Sequence, residues 1–200
     1  MSPAEWRDHE KQYGGDVFIE NETVTGLSLG FSSINDEQLL NLDGLSDVLT
    51  FDVANSRVTD VGLACLAHMP RLETFRADKS SIDGSALEHL RCFATLSKLT
   101  LRSCPNLVSE NLKYLSRFTK LELLALDDSP VDDAALLFVS NIRSLKHLGL
   151  VSTNITNEGM QRLHGMPNLR TVLVGPQISD EACEALRMAN PNVSFPSLML

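Results

Sequence analysis

The chain has 200 residues, 43% of them hydrophobic, and a formal net charge of −9 with a pI near 5.0. That charge argues against a general nucleic-acid surface, which needs concentrated Lys and Arg to neutralise phosphates, and it disfavours docking to anionic lipid. No apolar run approaches the roughly 20 residues that cross a bilayer, and residues 1–15 lack the apolar core of a secretory signal, so the expected compartment is the cytoplasm, with Cys65, Cys92, Cys104 and Cys183 as free thiols.

Residues 4–13 read as a short amphipathic helix closed by Gly14 and Gly15, with Trp6 and Tyr13 as the large groups able to cover something. Residues 17–19 then read as a strand, and 20–23 as a turn. A repeat array begins directly after this turn, and the first coil of any such array exposes a strand edge and one side of its core. Residues 1–23 are therefore expected to form an N-terminal cap, with no catalytic duty.

From Val24 onward the same layout recurs, opening at Val24, Val48, Leu72, Leu96, Leu121, Leu145, Leu169 and Val193, with a spacing of 24 residues and one unit of 25. Positions 1, 4, 6, 11, 16, 19 and 22 of each unit are apolar, once an extra residue near Pro105 and one-residue shifts in the last full unit are allowed. Positions 4 and 6 alternate with polar or small residues, as a strand with one buried face does. The inward pairs run from Leu27/Leu29 through Leu124/Leu126 and Leu148/Leu150 to Val172/Val174.

Position 9 carries Ser32, Ser56, Ser80, Cys104, Ser129 and Thr153. A small hydroxyl or thiol at the same corner of successive coils can bond backbone groups that have just left the sheet, so this column reads as a structural ladder and not as a row of nucleophiles. Short oxygen-bearing residues come after position 11, among them Asn35-Asp36, Thr59-Asp60, Asp132-Asp133, Thr156-Asn157 and Ser179-Asp180; these are helix-start signals. The apolar residues at 16, 19 and 22 then lie three apart and hold one face of a short helix against the sheet. Gly62, Ala86, Ala135, Gly159 and Ala182 at position 15 point to a close approach between that helix and neighbouring backbone.

This layout of Leu-x-x-Leu-x-Leu followed by a helical segment resembles the leucine-rich repeat family, whose period of about 20–29 residues includes the one seen here. The tails VTDVGLACL (58–66), ITNEGMQRL (155–163) and ISDEACEAL (178–186) are similar to its T-D-x-G-L-x-x-L subtype, found in bacterial repeat proteins and in cysteine-containing repeats of ubiquitin-ligase substrate receptors. The resemblance implies a right-handed α/β solenoid over residues 24–200, a horseshoe with a parallel concave sheet and short convex helices, made of seven coils and a terminal strand. It implies nothing specific about the ligand, because an architecture is shared more widely than a function.

No Gly-rich phosphate loop or Ser-His-Asp arrangement stands out. Cys65 and His68 occupy repeat positions 18 and 21, as do His89 and Cys92, so neighbouring coils bring together the ligand types of a Cys₂His₂ zinc site. Equivalent positions on parallel helices point the same way and not toward one another. The expectation is accordingly outward or flank-facing residues with no metal and no cofactor.

The expected binding surface is the concave sheet, where positions 3, 5 and 7 project without packing duty. They include Arg76, Lys98 and Arg102 in the middle coils and Leu123, Ala125, His147, Val151 and Leu173 further on, so the face passes from charged to apolar. An apolar group on a solvated sheet beside orienting charges marks a protein-partner site. The sequence therefore reads as a non-enzymatic protein-interaction module, with the substrate receptor of a ubiquitin-ligase-like or effector assembly as alternative and a zinc or thiol enzyme behind both. Segment 193–200 lacks a polar capping coil, which leaves a monomer or a weak homodimer through the C-terminal end as the expected states.

Overall fold

A computed structural model describes residues 3–42 and 44–196. Helix α1 (Pro3–Tyr13) leads into β1 (Asp16–Glu20), which pairs antiparallel with β2 (Thr23–Ser28). From β2 the sheet is parallel, one strand per coil: β3 (Thr50–Asp52), β4 (Thr74–Arg76), β5 (Lys98–Thr100), β6 (Leu123–Ala125), β7 (His147–Leu150) and β8 (Thr171–Val174), in sequence order across an eight-stranded sheet. The register obeys the repeat: Leu27, Phe51, Phe75, Leu99, Leu124, Leu148 and Val172 face one another from strand to strand and are buried. One continuous core runs the length of the array, and Trp6 of α1 joins it at the first coil.

The segments returning behind the sheet are of two kinds. Helices α2 (Asp36–Leu40), α3 (Asp133–Val139), α4 (Asn157–Met160) and α5 (Asp180–Ala189) each start at a residue whose side chain accepts a backbone N–H of the first turn: Asn35, Asp132, Thr156 and Ser179. The segments Gly62–His68, Ser85–His89 and Ser109–Arg117 have no such side-chain cap and are 3₁₀ helices. Among the described residues each coil thus returns through a short helical segment, α in four coils and 3₁₀ in three. A spacing of three eclipses side chains in a 3₁₀ turn, so Leu63, Leu66 and Met69, or Leu112, Leu115 and Phe118, form one buried row.

The position-9 ladder is present. Ser32, Ser56 and Ser80 donate to the carbonyls of Leu29, Val53 and Ala77 at 2.6–2.7 Å, Thr153 donates to Leu150, and Ser129 donates to Leu101 of the coil before. It works with a neighbour that the sequence pattern does not single out. Phe31, Asn55, Lys79, Ser103, Asp128 and Ser152 at position 8 all lie at φ between 51° and 59°, the left-handed region. There the chain leaves the sheet while its N–H still reaches the next coil: Asn55 to Asp78, Lys79 to Arg102, Ser103 to Asp127. Pro176 stands at that place in the last full unit, where a proline ring forbids positive φ.

A second clasp explains the Thr-Asp-x-Gly motif. The carboxylate of Asp36 accepts both the N–H and the hydroxyl of Thr59 in the following coil (2.7 and 2.6 Å), and Asp133 does the same for Thr156 (2.8 and 2.7 Å). A Cβ added at Gly62 would strike Asp36, and one at Gly159 would strike Asp133. The small residue thus makes room for the previous coil's carboxylate as well as for backbone. Asp60 serves Asp83, Gly84 and Ala86 in the same way.

Position 22 of the last full unit also departs from the apolar pattern. Asn190 takes the place held by Ile142 and Met166, is buried, donates to the carbonyls of Leu163 and Met166, and accepts the N–H of Gly165. Of the segment 193–200, residues 197–200 lie outside the described residues; within it Val193 is buried and Ser194 bridges to Thr171 on the edge of β8.

Candidate functional site

Seven parallel strands in register arrange the side chains opposite the core into three rows across the open face of the sheet. The first row contains Thr74, Lys98, Leu123, His147 and Thr171; the second, Arg76, Thr100, Ala125, Gly149 and Leu173. The third, two residues past the ends of β4, β5 and β6 and one past that of β7, contains Asp78, Arg102, Asp127 and Val151. Leu123, Ala125, His147 and Leu173, with Gly149, Thr171 and Arg102, line a shallow depression on this face. The depression exists because Gly149 offers no side chain and Ala125 only a methyl between taller neighbours.

The eight residues expected from the sequence divide according to their contacts. Arg102, Leu123, Ala125, His147 and Leu173 meet around the depression, whereas Val151, Arg76 and Lys98 lie outside its lining. Ala125 is only 2% exposed, so it forms the floor and not a projecting contact. Arg76 is held by Asp52 at 3.3 Å and Asp78 at 3.6 Å, and Arg102 by Asp127 at 3.1 Å. These carboxylates have a second duty, since Asp78 accepts the backbone N–H of Arg102 and Asp127 that of Val151. They are accordingly nearly buried, although the register projects them outward. Among the described residues Lys98 has no ion-pair partner, so it is the cation most available to an incoming group.

Behind the sheet, Cys65 and Cys92 are buried in the core, while His68 is exposed and His89 is half-buried. This corrects the expected outward or flank-facing placement of the cysteines: Cys65 within Gly62–His68 and Cys92 beyond the end of Ser85–His89 both pack into the core, whereas the histidines at the equivalent repeat positions stay at the surface. Among the described residues no three His, Cys, Asp or Glu side chains are placed to share a metal ion. Burial pushes the Cys65 thiol up to about 12 and that of Cys92 to about 11. Thiolates are both the metal-binding and the nucleophilic form, so such thiols are inert at neutral pH. Native protein at pH 8 is expected to resist alkylation by iodoacetamide at Cys65 and Cys92, and to be labelled at both once unfolded in guanidinium, as read by intact-mass spectrometry. Rapid native labelling of either would contradict the burial described.

One strand per coil, a shared register and a helical return on one side define an α/β solenoid with a leucine-rich-repeat fold. No protein-family model matches the chain, and no curated protein sequence matches it. Among solved structures it is similar to an internalin of Listeria monocytogenes (TM-score 0.57, 23% identity, 78% of this chain and 43% of that one) and to internalin C2 of the same organism (TM-score 0.55, 20% identity, 86% and 81%). It is also similar to a chain of the Rad7–Elc1 complex of yeast (TM-score 0.52, 19% identity, 80% and 38%). The chain therefore spans less than half the length of two of these three proteins. Among the described residues no helix is long and apolar enough to cross a membrane.

Proposed function

We propose that the chain is a non-enzymatic protein-interaction module that docks a partner protein on the open, concave face of its sheet, in a right-handed horseshoe whose residues 1–23 cap the array and whose residues 24–200 are repeats of the T-D-x-G-L-x-x-L kind. The observation that carries this reading is the depression of Leu123, Ala125, His147 and Leu173, apolar surface with no core duty beside Lys98 and the Arg102–Asp127 pair. Docking on a sheet whose successive coils are tied by ladders and clasps costs little conformational entropy. The likeness to a chain crystallised as a complex, Rad7 with Elc1, supports a protein as the partner class. Four buried free thiols support a reducing compartment such as the cytoplasm.

The test compares affinity capture by the intact chain with capture by a Leu123→Asp, Leu173→Asp variant whose circular dichroism matches the original. The captured protein is expected to be lost in the variant, and the chain itself to sediment as a monomer. Undiminished capture by the folded variant would place the partner elsewhere. A concentration-dependent dimer would instead indicate that the C-terminal edge pairs with a second copy.

A further inference from the structure

The second row of the open face holds an anomaly. The Thr100 hydroxyl is buried, the residue is 9% exposed, and its oxygen has no hydrogen-bond partner among the described residues. Threonine elsewhere in a sheet can leave its hydroxyl to water, but a buried hydroxyl with no partner has lost its water without a replacement, which is unfavourable. In the ladder Thr100 stands between Arg76 and Ala125, and along its own strand between Lys98 and Arg102. Three cations thus surround one unused hydroxyl. The flanking guanidiniums are committed to Asp52, Asp78 and Asp127, and the lysine is not.

We propose that Lys98 and Thr100 form a subsite for a single side-chain carboxylate of the partner, which sits next to an apolar side chain seated in the Leu123–Leu173 depression. The subsite rests on the reading of the open face as the docking surface. The Lys98 ammonium donates to one carboxylate oxygen and gains its counter-charge; the Thr100 hydroxyl, covered in the free chain, reaches the other oxygen only after a turn about its χ1 angle toward the open face, and so gains the acceptor it lacks. A polyanion fits poorly, because a phosphate backbone crossing this face would meet the three aspartates that hold the guanidiniums. One free cation and one donor match one negative charge.

Geometry also limits the spacing in the partner. Adjacent strands are about 4.8 Å apart, so the depression around β6–β8 begins one strand from Thr100 and centres about 10 Å away, roughly three residues of an extended segment. The recognised element is therefore an extended stretch crossing the strands, with Asp or Glu two to four residues from Leu, Met or Phe.

The experiment selects a displayed random dodecapeptide library on the intact chain. Enriched peptides are expected to carry that acidic–apolar spacing. Binding of one synthetic enriched peptide should weaken by roughly tenfold or more on Lys98→Glu, the loss of a charge-assisted contact. It should also weaken on Thr100→Val and on changing the peptide's own acid to Ser. Thr100→Val removes the orphan hydroxyl at nearly constant shape, so its thermal midpoint should be unchanged or higher, which separates lost recognition from lost folding. Acid-free enriched peptides, no enrichment, or acidic peptides indifferent to both Lys98→Glu and Thr100→Val would each overturn the subsite. If those peptides still lose binding on Leu173→Asp, the open face remains the docking surface and only the carboxylate assignment fails. If they do not, both readings fail together.

Discussion

Leu148→Ala is expected to lower the free energy of unfolding by about 2–5 kcal/mol, whereas Lys146→Ala, two residues earlier on the same run, should lower it by less than about 1 kcal/mol. Leu148 is 1% exposed and stands in the ladder between Leu124 and Val172, so truncation opens a cavity bounded by two neighbouring coils that the fixed register keeps from closing. The Lys146 ammonium reaches Glu122 of the preceding coil at 2.7 Å, but both groups are substantially exposed, and the pair is worth little in water. Urea denaturation of the two variants beside the parent decides the matter. Similar midpoints for both would mean that the strand is assigned one residue out of register, and the three rows of the open face would then be wrong with it.

Gly159→Ala should destabilise by about 1–3 kcal/mol, although alanine is the better helix former by about 1 kcal/mol. A methyl there would overlap the Asp133 carboxylate. That carboxylate would have to leave the Thr156 N–H and hydroxyl, which it holds at 2.8 and 2.7 Å, and Thr156 is also the residue that caps α4. The cost should therefore depend on Asp133. In an Asp133→Ala background, where the space is already open, Gly159→Ala should be neutral or stabilising. A double-mutant cycle read by thermal or chemical unfolding isolates this coupling. Additive effects of the two changes would show that the glycine is there for another reason.

The clasp between Asp133, Thr156 and Gly159 shows where reading the sequence succeeds and where it stops. The recurrence of Thr-(Asp/Asn)-x-Gly at 59–62 and 156–159 signals that a small residue is needed, but the residue it makes room for lies a full coil away. The same holds for the cysteines. Their spacing with His68 and His89 is visible along the chain, yet only the packing of the coils turns Cys65 and Cys92 into the core and leaves the two histidines at the surface. The left-handed column from Phe31 to Ser152 has no common residue type, so no local signal marks it. What its members share is an N–H that must still pair with the next coil after the strand has ended.

The open face divides along the same line. By itself the sequence determined the period, the core rows, the strand register and the set of residues that project away from the core, because alternation of apolar and polar side chains is a local property that every coil repeats. Only the tertiary structure decided which of those projecting residues are free to act. Asp78 and Asp127 turn inward to hold the next coil's backbone, Arg76 and Arg102 are drawn to those carboxylates, Ala125 sinks to the floor of a depression, and Lys98 and the Thr100 hydroxyl are left without partners among the described residues. Most of these outcomes depend on contacts between residues about one repeat apart, such as Asp78 with Arg102 and Asp127 with Val151, which exist only once the coils are stacked.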